Sequence, residues 1–328
     1  MKNQMKKLLV LILVLALTLT MFAACEEPSE SGSEEVVFPA GNSLTIIVPV
    51  SAGAGMDVQA RIFATYLSEE LGTNVVIENI DGGGTVLGAT EFLTYDADDD
   101  YMIYLSTDHA VLTPVLSEAT YTYEDFTAVS TLTYTEEALW VRTDSPWETW
   151  EDVVAASQIE PIVCGTGAKT GPAYIAVQGA FDASDANFEY VIASSVPESI
   201  INMVAGTVDL CWSAYTQAGQ YYETDQIKPI VGTGVTVDSQ IGAETMMEKG
   251  YDFSFSSCNA FFMNSDADPA IIAIMEEACA AVYANPDFQV DFEEAGNQIL
   301  TDASADFAND AVEQKIALLP MIEEMMKG

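Results

Sequence analysis

From residue 42 onward, apolar and β-branched runs of strand length alternate with runs whose apolar residues recur at helical spacing. Leu44–Val50 is the first strand of this kind, and Val58, Ile62, Phe63, Tyr66 and Leu67 repeat behind it on one face of a helix. The pattern predicts further strands at Asn74–Asn79, Met102–Leu105, Ala138–Arg142, Pro161–Cys164, Phe188–Ala193, Val208–Trp212, Ile227–Gly232 and Cys258–Asn264. Helices are expected at Asp57–Leu71, Thr85–Thr94, Trp147–Ser157, Pro172–Phe181, Val196–Ala205, Glu244–Lys249, Pro269–Ala284, Pro286–Ala295 and Ala303–Met326. Strands and helices in alternation imply an α/β fold whose mainly parallel sheets are joined by helical crossovers. Asp144-Ser145-Pro146-Trp147 reads as one crossing between two lobes and Ser256–Phe262 as the return. Lobe 1 then takes residues 42–144 and 262–328, lobe 2 takes 145–261, and a cleft separates them.

The ends of the chain follow another pattern. Lys2, Lys6 and Lys7 form a basic start, Leu8–Leu19 is apolar, and Phe22-Ala23-Ala24-Cys25 closes the segment with small residues and a cysteine. Residues 1–24 are therefore expected to be a signal peptide, with Cys25 the lipidated first residue of the mature chain. A plain secretory signal and a retained membrane helix are the alternatives, the second disfavoured by the short apolar run. Glu26–Glu35 holds no apolar residue, and residues 25–41 read as an acidic, solvated tether. Cys164, Cys211, Cys258 and Cys279 each lie in an apolar run and are expected to be buried free thiols, with two disulfides the most they could form.

Charge narrows the partners. Lysine and arginine number 10 against 51 aspartates and glutamates, for a formal net charge of −41. Such a surface excludes nucleic acid, whose phosphates need cations, and argues against docking on anionic headgroups. An anionic ligand would be captured against the long-range field, by donors acting at short range.

One segment supplies such donors. Ser51-Ala52-Gly53-Ala54-Gly55-Met56 follows the first strand, its two glycines free to take angles that other residues avoid, and Asp57 stands where a helix N-cap belongs. A strand turning through glycines into a helix presents unpaired N–H groups and the positive end of a helix dipole, which hold anions without a charged side chain. An ordinary strand–helix turn remains the alternative. Further strand ends run into helix starts at Ser106-Thr107-Asp108-His109, at Gly165–Gly171 (with Gly167, Ala168, Lys169 and Thr170), at Ser194-Ser195 and at Ser213-Ala214-Tyr215, and these loops are expected to converge on the cleft. Ser195-Val196-Pro197-Glu198 also has capping-box spacing, so Ser194 and Ser195 are either helix caps or ligand contacts. Lys169, in a glycine-rich loop, is either a solvated lysine or a charge-assisted ligand contact. Arg61 is expected to be a structural ion-pair partner, and His109, the single histidine, a loop cap or cleft residue.

Pro49, Gly53, Gly55, Asp57, Arg61, Glu78, Asn79 and Gly82–Gly84 together resemble the opening of the tripartite tricarboxylate transporter receptors, also called the Bug family of solute-binding proteins. The similarity continues through Tyr101–Thr107, Phe126, Gly165–Gly171 and Gly206–Leu210, so that it covers residue 42 to the C-terminus. The resemblance implies a two-lobed periplasmic-binding-protein-like (Venus flytrap) fold and an extracytoplasmic, monomeric receptor on the outer face of the cytoplasmic membrane or in the periplasm. It also implies a small carboxylate or acidic amino acid as ligand, delivered to a transporter of one large and one small membrane subunit. The lipid bilayer would be met through Cys25 only. Three positions depart from the family pattern: Ile192–Val196 replaces a Val-Pro-Tyr-Lys-Gly-like turn, Ala173 or Tyr174 stands where relatives carry a histidine, and Met56 replaces threonine or serine.

Catalytic motifs are thin. Gly53-x-Gly55-x-x-Val58 lacks the third glycine of a dinucleotide fingerprint, and no serine or cysteine sits in an elbow with a histidine base. Asp96–Asp100 begins like a calcium loop, but Tyr101 and Thr107 occupy the positions that need glycine and glutamate. No cofactor, metal or enzymatic activity is expected. A ligand-presenting partner of a sensor kinase and a secreted hydrolase are the rival functions.

Overall fold

A computed structural model describes residues 38–39, 43–117, 119–135, 137–167, 171–234 and 241–327. The first half of the chain gives β1 (Leu44–Val48), α1 (Gly55–Leu71), β2 (Val75–Asn79), α2 (Val86–Phe92), β3 (Tyr101–Ser106), α3 (Thr107–Ser117), β4 (Phe126–Thr135), β5 (Glu137–Arg142), α4 (Trp150–Ser157) and β6 (Ile162–Thr166). The second half gives α5 (Pro172–Ala183), β7 (Phe188–Ile192), α6 (Val196–Val204), β8 (Leu210–Ala214), α7 (Tyr215–Tyr222), β9 (Ile227–Gly232), β10 (Ser257–Asn264), α8 (Pro269–Ala284), α9 (Pro286–Glu294), α10 (Ala305–Ala317) and α11 (Leu319–Lys327).

The strands form two five-stranded sheets, ordered β2-β1-β3-β10-β4 and β7-β6-β8-β5-β9. Parallel pairs join β1 to β2 and β3, while β10 runs antiparallel between β3 and β4. The second sheet repeats the plan: β6 is parallel to β7 and β8, and β5 runs antiparallel between β8 and β9. In each sheet the antiparallel strand is the one that has just arrived from the other. The parallel strands all end at one edge, so a chain entering there must run against them. Glu137 opens β5 opposite Ala214, the last residue of β8, and Ser257 opens β10 opposite Thr135, the last residue of β4. The carboxyl ends of the strands, where α/β folds place their ligands, thus meet the two crossing segments.

Apolar burial holds the helices to the sheets. Phe63 and Leu67 of α1 pack with Phe261, Met275, Phe288 and Phe292 against the first sheet. Another cluster runs from Leu105 and Val111 through Leu139, Trp150, Trp212 and Phe255 to Leu318 and Ile322. Each such buried side chain contributes about 1.5–3 kcal/mol relative to exposure. Cys164, Cys211, Cys258 and Cys279 are free and buried, as their apolar surroundings predict. No helix among the described residues is long and apolar enough to cross a membrane.

Several expectations need correction. Strand β4 is absent from the sequence reading, because half of Phe126–Thr135 is threonine and serine although nearly all of it is buried. Its hydroxyls are satisfied by the chain entering α10: Ser130 Oγ donates to the Ala303 carbonyl (3.0 Å) and Thr131 Oγ1 to that of Ser304 (3.0 Å). Helix α3 was hidden by Pro114 inside it, and α7 by its polar, glycine-containing sequence. The passage between sheets falls between β4 and β5, so Glu137–Arg142, assigned to the span of lobe 1, pairs in the second sheet. Glu244–Lys249 forms a bridge and turns instead of a helix. The last helix is two, α10 and α11, broken just before Pro320, which has no N–H to continue the ladder.

Candidate functional site

The turn after β1 is built as an anion cradle and locked from behind. Gly53 sits at φ +86°, which only glycine takes freely, whereas Gly55 has entered the helix and an added Cβ there would meet nothing within 4 Å. Of the two glycines, Gly53 alone is demanded by the backbone. The N-cap is Ala54, not Asp57, and it offers no side-chain cap. Asp57 is instead the third helical residue and reaches back, accepting the Gly53 N–H at 2.8 Å. The same buried carboxylate accepts from Arg61 Nε (3.0 Å) and Asn79 Nδ2 (2.9 Å), and pairs with Arg61 Nη2 at 2.9 Å. Burial alone would raise the Asp57 pKa, but the bonds from Arg61, Gly53 and Asn79 outweigh it and hold the carboxyl below its ordinary value. Asn79 completes the lock by donating to the Val50 carbonyl (3.1 Å) and accepting from Arg61 (2.9 Å). Asp57 and Arg61 are therefore occupied with each other. Ser51, exposed, hydrogen-bonds Asp81. No acceptor among the described residues meets the N–H groups of Gly55 and Met56, the open donors at the head of α1.

The other expected loops divide. Ser106, at the end of β3, accepts the Asp108 N–H (3.1 Å) and so caps the start of α3. Thr107 beside it is fully buried, and its hydroxyl has no hydrogen-bond partner. Ser213, at the end of β8, is likewise buried with an unpartnered hydroxyl. Ser194 and Ser195 are exposed and engaged as caps of α6: Ser195 Oγ accepts the Glu198 N–H (3.3 Å), and the Ser194 N–H donates to Glu198 Oε2 (2.7 Å). Gly167 is half-buried just beyond β6. Ala168, Lys169, Thr170, and the segment holding Cys25 lie outside the described residues.

A cluster that sequence reasoning missed lies where the crossings meet the strand ends. Lys315 of α10 is 1% exposed, with Nζ 2.8 Å from Asp108 Oδ1 and 3.4 Å from the centroid of the Phe255 ring. Glu137, 2% exposed, accepts from Ser257 Oγ at 2.9 Å through one oxygen, while the other has no partner. Burial pushes its carboxyl up to about 8, against the pull of Lys315 and the Ser257 hydrogen bond. Burial likewise holds the His109 imidazole below its ordinary pKa, with Asp108 opposing, and leaves Nδ1 unpartnered. One signal was available: Lys315 sits on the stripe Ala308–Ala311–Lys315–Leu318–Ile322, otherwise the apolar face of the C-terminal helices. Neither Asp108 nor Glu137 carries a comparable mark.

Among the described residues no group of three or more His, Cys, Asp or Glu could hold a metal ion. Open backbone donors, buried hydroxyls and one buried cation suit the binding of a small polar anion better than bond-making.

Comparison with known proteins agrees with this. A family model described as the tripartite tricarboxylate transporter family receptor matches residues 59–326. A protein of Agrobacterium vitis, described as the UPF0065 protein in the TAR-I ttuE-ttuC' intergenic region, is 26% identical over 251 residues, covering 74% of this chain and 72% of that one. An unliganded TctC solute-binding protein from Polaromonas has the same fold, with a TM-score of 0.81 at 19% identity over 88% of this chain and 99% of its own. MatC from Rhodopseudomonas palustris, solved with bound malate, aligns at a TM-score of 0.59 and 18% identity, covering 86% and 99% of the two chains.

Proposed function

We propose, for a chain that belongs to the tripartite tricarboxylate transporter family of receptors, that it captures a small carboxylated organic anion and delivers it to a membrane transporter of one large and one small subunit. The family is one of solute receptors, and the chain is a binding protein rather than an enzyme. The observation that supports the carboxylate most is the turn at the head of α1. Asp57, Arg61 and Asn79 hold it rigid from behind, while the N–H groups of Gly55 and Met56 meet no acceptor among the described residues. Preformed donors at a helix start bind a carboxylate without a countercharge.

In this reading the two sheets are the two lobes, and residues 51–55, Ser106 and Thr107 face the solute from the first. Gly167, Ala168, Lys169, Thr170, Ser194, Ser195 and Ser213 face it from the second. Contacts from both lobes exist together only in a closed form, so binding favours closure. The receptor is a monomer, extracytoplasmic, and tethered through a lipid on Cys25. Replacing Cys25 by serine should release the protein into the medium or leave an unprocessed precursor; normal processing with full membrane retention would sink the anchor.

A thermal-shift screen of the purified protein against mono-, di- and tricarboxylates and acidic amino acids tests the ligand class. A carboxylate at 100 times its dissociation constant should add about 2.7 kcal/mol of stability. Stabilisation by neutral or cationic solutes alone would contradict the proposal.

A further inference from the structure

Between α1 and α7 lies a groove of about 620 Å³, within the range of small-ligand sites. Gln59, Thr133 and Asn297 line it from the first sheet's side, Tyr215 and Gln220 from α7. Among the described residues its lining holds no lysine, arginine or histidine, and the two charged residues there, Glu223 and Glu293, are both acidic.

The neutral groups are held in place. Tyr104 OH donates to Gln59 Oε1 (2.9 Å), Gln59 Nε2 donates to Asn297 Oδ1 (2.8 Å), and Asn297 Nδ2 donates to the Phe292 carbonyl (3.2 Å). Each of these two amides has a second N–H, and each carbonyl oxygen a second lone pair. Thr133 Oγ1 accepts from Asn259 Nδ2 (2.9 Å) and hydrogen-bonds the Tyr104 phenol, so it is held in this network. Tyr215 OH donates to Glu223 Oε1 (3.1 Å) and so fixes one carboxylate at the rim. Oriented amides with a spare N–H each, beside hydroxyl and amide oxygens that can still accept, match hydroxyls.

The groove adjoins the proposed carboxylate turn. Gln59 follows Gly55 by four residues, so it lies on the same helix face about 6 Å further along α1. Tyr215 opens α7 directly after Ser213 and Ala214. A solute whose carboxylate sits at Gly55 and Met56 would extend its remainder along Gln59 toward Tyr215. A second carboxylate there would meet two like charges and, among the described residues of the lining, no countercharge.

We infer that this groove is the subsite for an uncharged, hydroxylated remainder of the solute, so that the preferred ligand is a hydroxylated monocarboxylate of the sugar-acid class rather than a di- or tricarboxylate. The inference rests on the carboxylate reading proposed above.

Calorimetric titration with gluconate and with adipate, six-carbon chains that differ in this respect, tests it. Gluconate should bind at least about tenfold more tightly than adipate, a gap of about 1.4 kcal/mol. Gln59→Leu should weaken gluconate by about tenfold and leave adipate within about twofold; Gln220→Leu, on the exposed face of α7, repeats the test where no packing is at stake. Adipate binding as tightly as gluconate, or both variants weakening the two ligands equally, would overturn the subsite while leaving the carboxylate reading intact. If neither anion binds, the sugar-acid subsite falls, and the thermal-shift screen of other carboxylates decides the carboxylate reading separately.

Discussion

Two charged clusters frame the strand ends, and they are built on opposite principles. Asp57, Arg61 and Asn79 stand behind the first turn with both carboxylate oxygens hydrogen-bonded, and half of the Arg61 side chain reaches solvent. Asp108, Lys315 and Glu137 stand beneath the crossing between sheets, where Glu137 Oε2 meets no donor and the Lys315 side chain is 1% exposed. The first cluster is a local brace in which hydrogen bonds offset the burial of Asp57 and water still reaches Arg61. The second buries a cation and one acid and half-buries another, all from distant parts of the chain, and the burial raises Glu137 until it holds its proton at neutral pH. A satisfied cluster stabilises one geometry. An unsatisfied one does not, and this one sits where the chain crosses between the two sheets.

The contrast can be broken most forcefully at Lys315. Lys315→Met leaves the half-buried Asp108 without its cation, and removing one partner of a buried pair costs up to about 3–5 kcal/mol. Urea denaturation should report a loss in that range; a loss under about 1 kcal/mol would mean the pair is no more than a surface bridge.

Glu137 gives the next largest effect, with a defined pH signature. Its folded pKa is about 8 against an ordinary 4.5. Between those values the folded state holds a proton that the unfolded state has released, so stability falls as pH rises through the window and the loss is complete above about 8. The slope is at most about 1.4 kcal/mol per pH unit. Glu137→Gln keeps an acceptor for Ser257 and should flatten this slope. His109, whose lowered pKa acts with the opposite sign just below its ordinary value, is common to both proteins and cancels in the comparison. Parallel pH profiles for the two would show that Glu137 is ionised in the folded protein.

At the brace the expected effect is smaller. Asp57→Asn should cost about 1–2 kcal/mol at neutral pH through the weakened bonds to Arg61 and the Gly53 N–H. Because the folded pKa of Asp57 is depressed, its contribution is present above the ordinary carboxylate range and disappears as pH falls through the lowered value. Wild type and variant should therefore converge in acid. A constant difference across the whole pH range would assign the loss to packing.

The smallest effect belongs to Gly55→Ala. Its Cβ meets nothing and its angles are helical, so the variant should gain up to about 0.5–1 kcal/mol. Destabilisation there would mean that the first turn is less regular than described.

The same contrast sets what the sequence could reveal. The strand, turn and helix from Leu44 to Leu71 were legible because their apolar periodicity and the contacts of Asp57 with Gly53 and Arg61 are local. Asp57 was still taken for the N-cap when it is the third helical residue, three positions on, because an acid there can also reach back to an N–H at the helix start. Strand β4 was illegible because its burial depends on β10 and on the Ala303–Ser304 backbone, both more than a hundred residues away. The cluster at the crossing was illegible for the same reason. Lys315 could have been flagged as a cation on an apolar stripe, but nothing near it in sequence names Asp108 or Glu137 as its companions.

The central claim, that a carboxylate is held by the open donors at the head of α1, is tested most directly by an amide-resolved NMR titration of the protein with the tightest carboxylate from the screen. The account predicts that the amide protons of Gly55 and Met56 move downfield together, with the same saturation curve as calorimetric binding. Saturable binding that leaves both amides unmoved would contradict it and place the anion elsewhere.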